Sequence, residues 1–287
     1  MKKSPINILV TINKKYINPL IVMLYSLIKN NSYKTNVYIM NKDLEKKDID
    51  YIREKVNSDL ITIIDIKIDD SKLANAPVSK QFPITMYYRL FAHLYLPKNV
   101  NKVLYLDPDI IVDKDIMELY NLNINRFCYA GATHVKGIVK LFNDIRLGLS
   151  KKDPYINSGV LMINLNEIRK VKIKEKDIYE YIRLNKHKFC LPDQDVLSKV
   201  YAGRIKLIDT KIYNVSEKMV NSYTYEWIEN NSKIIHYCGK NKPWNDKYKG
   251  VLNKFYKKYS CEIFNWLGVF KWRIGHMIIT NIIKWIT

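Results

Sequence analysis

Two aspartates separated by a proline, Asp107-Pro108-Asp109, are the residues of this chain best placed for ionic chemistry. In an extended segment positions i and i+2 point to the same side, so both carboxylates address one point. Pro108 has no N–H to give a ladder, and regular strand pairing is expected to stop there. Two hard oxygen ligands with room left for phosphate oxygens suit Mn2+ or Mg2+. A D-x-D tripeptide is common by chance and also occurs in solvated turns. Here apolar VLYL precedes it and IIV follows it, which puts the pair at the rim of a core. His236, between Lys233-Ile234-Ile235 and Tyr237-Cys238-Gly239, is the candidate third ligand. Its neutral imidazole suits Mn2+ better than Mg2+. Lys242 offers a point charge for a phosphate, and Gly239 allows close backbone approach.

The elements that must position these groups alternate between strand and helix. Ile6 to Thr11 is an apolar run suited to a buried strand. Ile17, Leu20, Ile21, Leu24, Leu27 and Ile28 then recur at helical spacing, closed by Asn30-Asn31. Val37 to Met40 and Leu60 to Ile66 read as strands, with a polar helix over Asp43 to Val56 between them. Thr85 to Leu96 reads as a helix ended by Pro97, and Val103 to Leu106 as a short strand running into the aspartates. This order predicts a largely parallel sheet with helices on both faces, and ligands beyond the carboxyl ends of its strands. The segment after Thr11 and the one after Leu106 both lie there. Farther on, Tyr155 to Leu165 places a turn before an apolar strand. Asp177 to Leu184 and Asp193 to Val200 look helical, and Ile234 to Tyr237 is a short strand.

A chain of 287 residues can bury a substantial core, and 47% hydrophobic residues argue against disorder. The formal net charge of +20 raises nucleic-acid binding. Lysines are spread along the whole chain, however, so no nucleic-acid partner is expected; an anionic membrane surface or a phosphorylated ligand accounts for the charge at least as well. Cys128, Cys190, Cys238 and Cys261 form no CxxC pair, as expected of thiols in a reducing compartment. The opening MKKSPINILVTI reads as a first strand, and no apolar run reaches the length of a membrane span. A cytoplasmic protein is expected.

Six blocks in order resemble glycosyltransferase family 8, the retaining enzymes that include bacterial lipopolysaccharide galactosyl- and glucosyltransferases and glycogenin. They are Val10-Thr11-Ile12-Asn13 with Tyr16, Thr85 to Leu90 (TMYYRL), Leu104 to Asp109 (LYLDPD), Asn157-Ser158-Gly159, Leu191 to Asp195 (LPDQD), and His236-Tyr237-Cys238-Gly239 through Lys242-Pro243-Trp244. The resemblance implies a single-domain, Rossmann-like nucleotide-diphospho-sugar transferase fold of GT-A type, with a mixed, mostly parallel central sheet. It implies Asp107, Asp109 and His236 as ligands of Mn2+ or Mg2+. It implies Thr11, Ile12, Asn13 and Tyr16 at the uracil and ribose, with Asp107, Pro108, Gly239 and Lys242 toward the diphosphate. Arg89, Asn157, Ser158, Asp193 and Gln194 would line the donor sugar, with Gln194, Asp193 and Arg89 the catalytic candidates. Asn13 departs from the Asp of many relatives; an amide both donates and accepts, so it can still meet the uracil edge.

The expected activity is transfer of glucose or galactose, with retention, from a UDP-sugar to a hydroxyl of a glycan or lipid-linked acceptor. Gln194 is an amide and a poor nucleophile, which favours front-face return, the departing phosphate oxygen accepting the acceptor proton. Two alternatives compete. One is a haloacid-dehalogenase-like phosphatase with Asp107 as nucleophile; the other is a non-catalytic basic module binding membrane or nucleic acid. Residues 1–250 are expected to form the catalytic unit. Residues 251–287 form a basic, tryptophan-rich helical segment with Trp266, Phe270, Trp272, Arg273, Ile278, Ile279, Ile282, Ile283 and Trp285. That segment suits either a peripheral contact with the inner face of the plasma membrane or a packed terminal helix. The hexose, the acceptor and the oligomeric state are left open by the sequence.

Overall fold

A computed structural model of the chain describes residues 4–264 except 80 and 221. Seven strands form the central sheet: β1 (Ile6–Thr11), β2 (Thr35–Asn41), β3 (Ile61–Lys67), β4 (Lys102–Leu106), β6 (Tyr129–Gly131), β7 (Val160–Asn164) and β8 (Ile205–Leu207). The remaining two, β5 (Ile110–Val112) and β9 (Ile234–His236), pair with each other. The order across the large sheet is β3-β2-β1-β4-β7-β6-β8. β7 alone runs against its neighbours, antiparallel to both β4 and β6; all other pairs are parallel. The mixed, mostly parallel GT-A sheet is therefore present.

Period-two alternation along the strands fills two separate cores. Ile8, Val10, Val37, Ile39, Leu104, Leu106, Val160 and Met162 face one side. They meet Leu20, Leu24 and Leu27 of the helix Ile17–Asn30 and Ile49 and Ile52 of the helix Lys46–Val56. Leu9, Tyr38, Met40, Val103, Tyr105, Leu161 and Ile163 face the other. There they meet Tyr87, Tyr88, Leu90 and Phe91 and the helices Glu175–Asn185 and Pro192–Val200. Such double-sided burial explains why these strands read as nearly continuous apolar runs.

Two elements differ from expectation. The segment read as one helix over Thr85 to Leu96 is a 3-10 helix, Ile84–Phe91, followed by a single α turn, Ala92–Tyr95. Every residue from Thr85 to Phe91 is buried, so the segment has no solvent face to give it the pattern of an amphipathic helix. The tighter winding also lets Arg89 Nε donate to Met86 O three residues back at 2.9 Å. The polar helix expected from Asp43 begins at Lys46, where the Glu45 N–H donates to Asp48 Oδ2 at 2.8 Å.

A third core lies under β5 and β9, where Ile111, Val215, Ile235 and Tyr237 pack against Phe255, Tyr256 and Tyr259 of the helix Asn253–Phe264. That helix also touches Ile17–Asn30. The tryptophan-rich residues from Trp266 to Trp285 lie outside the described residues. No helix among the described residues is long and apolar enough to cross a membrane.

Candidate active site

The sheet reverses its strand order between β1 and β4, since β2 and β3 follow on one side and β4 on the other. A crevice opens at such a switch point beyond the carboxyl ends. Here it is a cleft of about 610 Å3, lined by Thr11 at the end of β1 and Asp107 to Asp109 after β4. Its size is that of sites for small organic ligands.

Backbone pairing assembles the candidate metal ligands. Asp107 N–H donates to Gly159 O at 2.8 Å, which extends the β4–β7 ladder to the first aspartate. Past Pro108 the chain starts β5, which pairs antiparallel with β9 so that Ile110 faces His236. Tyr237 N–H donates to Asp109 O at 3.0 Å, closing the arrangement. Residues more than a hundred apart in sequence are thereby brought together, and the ligand atoms of Asp107, Asp109 and His236 all lie within 4.8 Å of one another.

Each carboxylate divides its two oxygens. Asp107 Oδ1 accepts from Tyr105 Oη at 2.5 Å and lies 3.0 Å from Arg89 Nη2, whereas its Oδ2 is 3.6 Å from His236 Nε2. Asp109 Oδ2 is held by Lys242 Nζ, whereas its Oδ1 is 3.4 Å from the same Nε2. His236 Nδ1 sits 2.9 Å from Asn214 Oδ1. An amide oxygen can only accept, so Nδ1 carries a proton and Nε2 is the nitrogen turned toward the aspartates, able to give its lone pair to a cation bound there. Three potential ligand atoms thus converge. Adjacent ligands of an octahedral ion bound at ~2.1 Å lie ~3 Å apart, so small adjustments would close this set around one cation. Two carboxylates with an imidazole suit Mn2+.

Charge follows the same geometry. Burial alone would raise the Asp109 carboxyl, but Lys242 and His236 beside it hold it below the usual carboxylate range. Burial works against the charged forms of Lys242 and His236, and Asp109 outweighs that at both, so both are raised. Asp193 moves upward because burial dominates over the Arg89 guanidinium.

Arg89 is the hub of the inner wall. Its guanidinium donates to Met86 O and, at 2.7 Å, to Ser158 O, and bridges Asp107 and Asp193. It also lies 4.3 Å from the Tyr105 ring centroid. Ser158 Oγ donates to Asp193 Oδ2 at 2.6 Å. The Gln194 side chain lines the cleft with no hydrogen bond among the described residues. Tyr16, Pro108, Asn157, Gly239 and Lys242 also line it. Tyr16 stands edge-on to Trp244 at 5.8 Å. Ile12 and Asn13 are not among the lining residues: Ile12 is buried in the first core, and Asn13 Oδ1 caps the turn Lys14–Tyr16 by accepting from Lys15 N–H at 3.0 Å.

Three supporting residues were given no role of their own by the sequence. Asn214, wholly buried, orients His236 and donates to Asn157 Oδ1 at 3.0 Å, and no motif marks it. Tyr105 was visible only as a strand position within the LYLDPD block, yet its hydroxyl meets both Asp107 Oδ1 and Thr11 Oγ1. Gly159 leaves the gap His236 occupies: a Cβ there would stand 2.1 Å from the His236 ring.

The family model for glycosyl transferase family 8 matches residues 7–248. A lipopolysaccharide 1,2-glucosyltransferase of Escherichia coli is 28% identical over 234 residues, covering 78% of this chain and 69% of its own. General stress protein A of Bacillus subtilis is 24% identical over 276 residues, covering 90% and 92%. Among solved structures, the galactosyltransferase LgtC in complex with donor and acceptor sugar analogues superposes with a TM-score of 0.77 at 20% identity, covering 90% of this chain and 96% of that one. At that identity the likeness is one of fold.

Proposed function

This chain belongs to glycosyltransferase family 8, and we propose that it moves glucose or galactose, with retention, from a UDP-sugar to a hydroxyl of a glycan or lipid-linked acceptor. The observation that carries the reading is the convergence of Asp107 Oδ2, Asp109 Oδ1 and His236 Nε2 at a cleft whose walls match the family's donor-binding blocks. Membership of the family favours it over the phosphatase and binding-module alternatives, and Asp107 Oδ1 is in any case engaged by Arg89 and Tyr105.

Asp107, Asp109 and His236 would hold Mn2+, or Mg2+ in its place. When bound, the ion supplies positive charge to the diphosphate as it departs. Lys242 adds a fixed ammonium within a water-poor wall, where such a charge acts more strongly than in bulk water. Thr11 and Tyr16 line the nucleoside end; Ile12 and Asn13 would act there through the backbone. Gly239 permits close approach of the diphosphate.

Retention without a protein nucleophile fits the inner wall. Asp193 Oδ2 accepts from Ser158 Oγ and lies 3.5 Å from Arg89 Nε, a carboxylate placed to orient sugar hydroxyls. Arg89 fixes it together with Asp107, and Asn157 and Ser158 complete the sugar pocket. Gln194 presents an uncommitted amide, which can hold a hydroxyl but attacks carbon poorly. The departing phosphate oxygen then accepts the acceptor proton on the same face. We place the protein in the cytoplasm, peripheral to the membrane that carries its acceptor, with the catalytic unit in residues 1–250 and residues 251–287 as a terminal helical segment.

A screen of UDP-sugars with Mn2+, reading UDP release, tests the proposal. Release is expected with UDP-glucose or UDP-galactose, abolished by chelator and by Asp109→Asn. A folded Asp109→Asn enzyme with full activity, or no release from any UDP-sugar, would sink it.

A further inference from the structure

The helix Gly137–Leu147 is turned inside out. Asn143, Asp144 and Leu147 face the protein and are buried. Ile138, Leu141, Phe142 and Ile145, spaced i, i+3, i+4 and i+7, form one stripe that faces solvent, with Ile138 82%, Phe142 57% and Ile145 75% exposed. Polar contacts on the inner side fix this orientation. Arg146 donates to both oxygens of buried Asp195 at 2.8 Å and to Asn143 Oδ1 at 2.7 Å, and Lys140 pairs with Asp144. Gly148, at φ +62°, ends the helix in a conformation that suits glycine. Rolling the helix to bury its apolar stripe would tear out a buried ion pair.

A contiguous exposed apolar stripe rimmed by polar residues suits an interaction site. The charges around it select the partner. From His134 to Lys152 there are five basic residues (Lys136, Lys140, Arg146, Lys151, Lys152) and one acidic, Asp144. Lys136, Lys151 and Lys152 are exposed and form no ion pair among the described residues. Lys186 and Lys188 are also exposed, in the turn whose Lys188 O accepts from Arg146. An apolar stripe with a lysine rim matches the interfacial layer of an anionic bilayer, acyl boundary below and phosphates around. A two-fold dimer through the same stripe would set the basic rim against itself.

We infer that the helix Gly137–Leu147 is a membrane-seating element that inserts Ile138, Leu141, Phe142 and Ile145 into an anionic lipid surface. None of its residues lines the reaction cleft, yet two contacts tie it there. Arg146 holds Asp195, two residues from Asp193, and His134, just before the helix, bonds Asn214 O at 2.8 Å. Seating this helix therefore couples the inner wall of the cleft to the bilayer through Arg146–Asp195 and His134–Asn214. The inference concerns residues 137–147 alone and does not depend on residues 265–287 or on the identity of the donor.

Flotation of the full chain with vesicles of phosphatidylcholine, with or without phosphatidylglycerol, is the test. The wild type should float with the anionic vesicles only. The triple variant Ile138→Ser, Phe142→Ser, Ile145→Ser and the triple variant Lys136→Glu, Lys151→Glu, Lys152→Glu should each lose about tenfold or more of that partition, with unchanged thermal midpoint and unchanged hydrolysis of UDP-sugar in solution. Phe142→Trp should add quenching by brominated lipids beyond the wild-type level, a direct reading of insertion. Equal partition of the apolar variant and the wild type overturns the inference. So does a wild type that ignores anionic vesicles, or one that forms a dimer which the apolar variant splits.

Discussion

Replacing Gly159 by alanine should disable the metal site while leaving the fold standing. The backbone at Gly159 is not left-handed, so the requirement is for space and not for conformational freedom. An added Cβ would lie 2.1 Å from His236 Cε1 and 2.8 Å from both His236 Nδ1 and Asp107 Oδ2. Ordinary contact begins near 3.4 Å, so the ring must retreat by 3.4 − 2.1 = 1.3 Å. It has little freedom to do so, because Nδ1 is tied to wholly buried Asn214 and Asn214 to Asn157. Metal–ligand distances tolerate deviations of about 0.2 Å, so the displacement exceeds the tolerance several-fold. Loss of supporting interactions alone typically costs 10–100-fold in affinity. Displacing a ligand outright should cost at least ~100-fold, or about 2.7 kcal/mol. Titration of Mn2+ by electron paramagnetic resonance, with thermal unfolding as the control for fold, reads this directly. Gly239→Ala is the matched comparison: its Cβ would meet nothing nearer than 3.9 Å, so it should keep wild-type Mn2+ affinity. Mn2+ binding by folded Gly159→Ala within threefold of the wild type would refute the reasoning.

Three further outcomes follow from the same geometry. Asn214→Leu strips the acceptor from His236 Nδ1 and leaves a buried N–H unpaired, so Mn2+ affinity should fall about 10–100-fold and stability by about 1–3 kcal/mol, read by titration and denaturant unfolding. Arg89→Lys cannot serve Met86 O, Ser158 O, Asp107 and Asp193 together from one ammonium. It should lose about 2–4 kcal/mol of stability together with nearly all transfer activity, and an active Arg89→Lys enzyme with wild-type unfolding would show that the hub is dispensable. Burial pushes the Cys128 thiol up to about 11, so it stays protonated at pH 8, while Cys190 is exposed. In the native protein a thiol reagent should therefore label Cys190 promptly and Cys128 only on unfolding or as the pH nears 11, as peptide mapping would reveal.

Much of the site was legible because its chemistry is local. An apolar strand running into D-P-D places two carboxylates at that strand's carboxyl end, and Asp107 and Asp109 are found beyond the end of β4. Arg89 was legible as a candidate through the TMYYRL block of the family resemblance. Its partners were not, since Ser158, Asp107 and Asp193 come from separate elements. The helix expected over Thr85 to Leu96 failed for a related reason: with every residue from Thr85 to Phe91 buried, periodicity carries no information about winding. The helix Gly137–Leu147 shows the limit from the other side. Its spacing of Ile138, Leu141, Phe142 and Ile145 is that of a core-facing stripe, and the inner polar contacts, Arg146–Asp195 first among them, hold that stripe toward solvent.

By itself the sequence determined the alternation of buried strands and amphipathic helices, the two aspartates at a strand's end, and the ordered blocks of the family. These are properties of residue type and short-range spacing, which apolar burial and side-chain chemistry convert directly into local structure. Tertiary structure alone decided that Ile110 pairs opposite His236, that Asn214 sets the imidazole tautomer, and that Gly159 makes room for it. Each depends on contacts between segments about twenty to more than a hundred residues apart, which the packing of the whole sheet brings together.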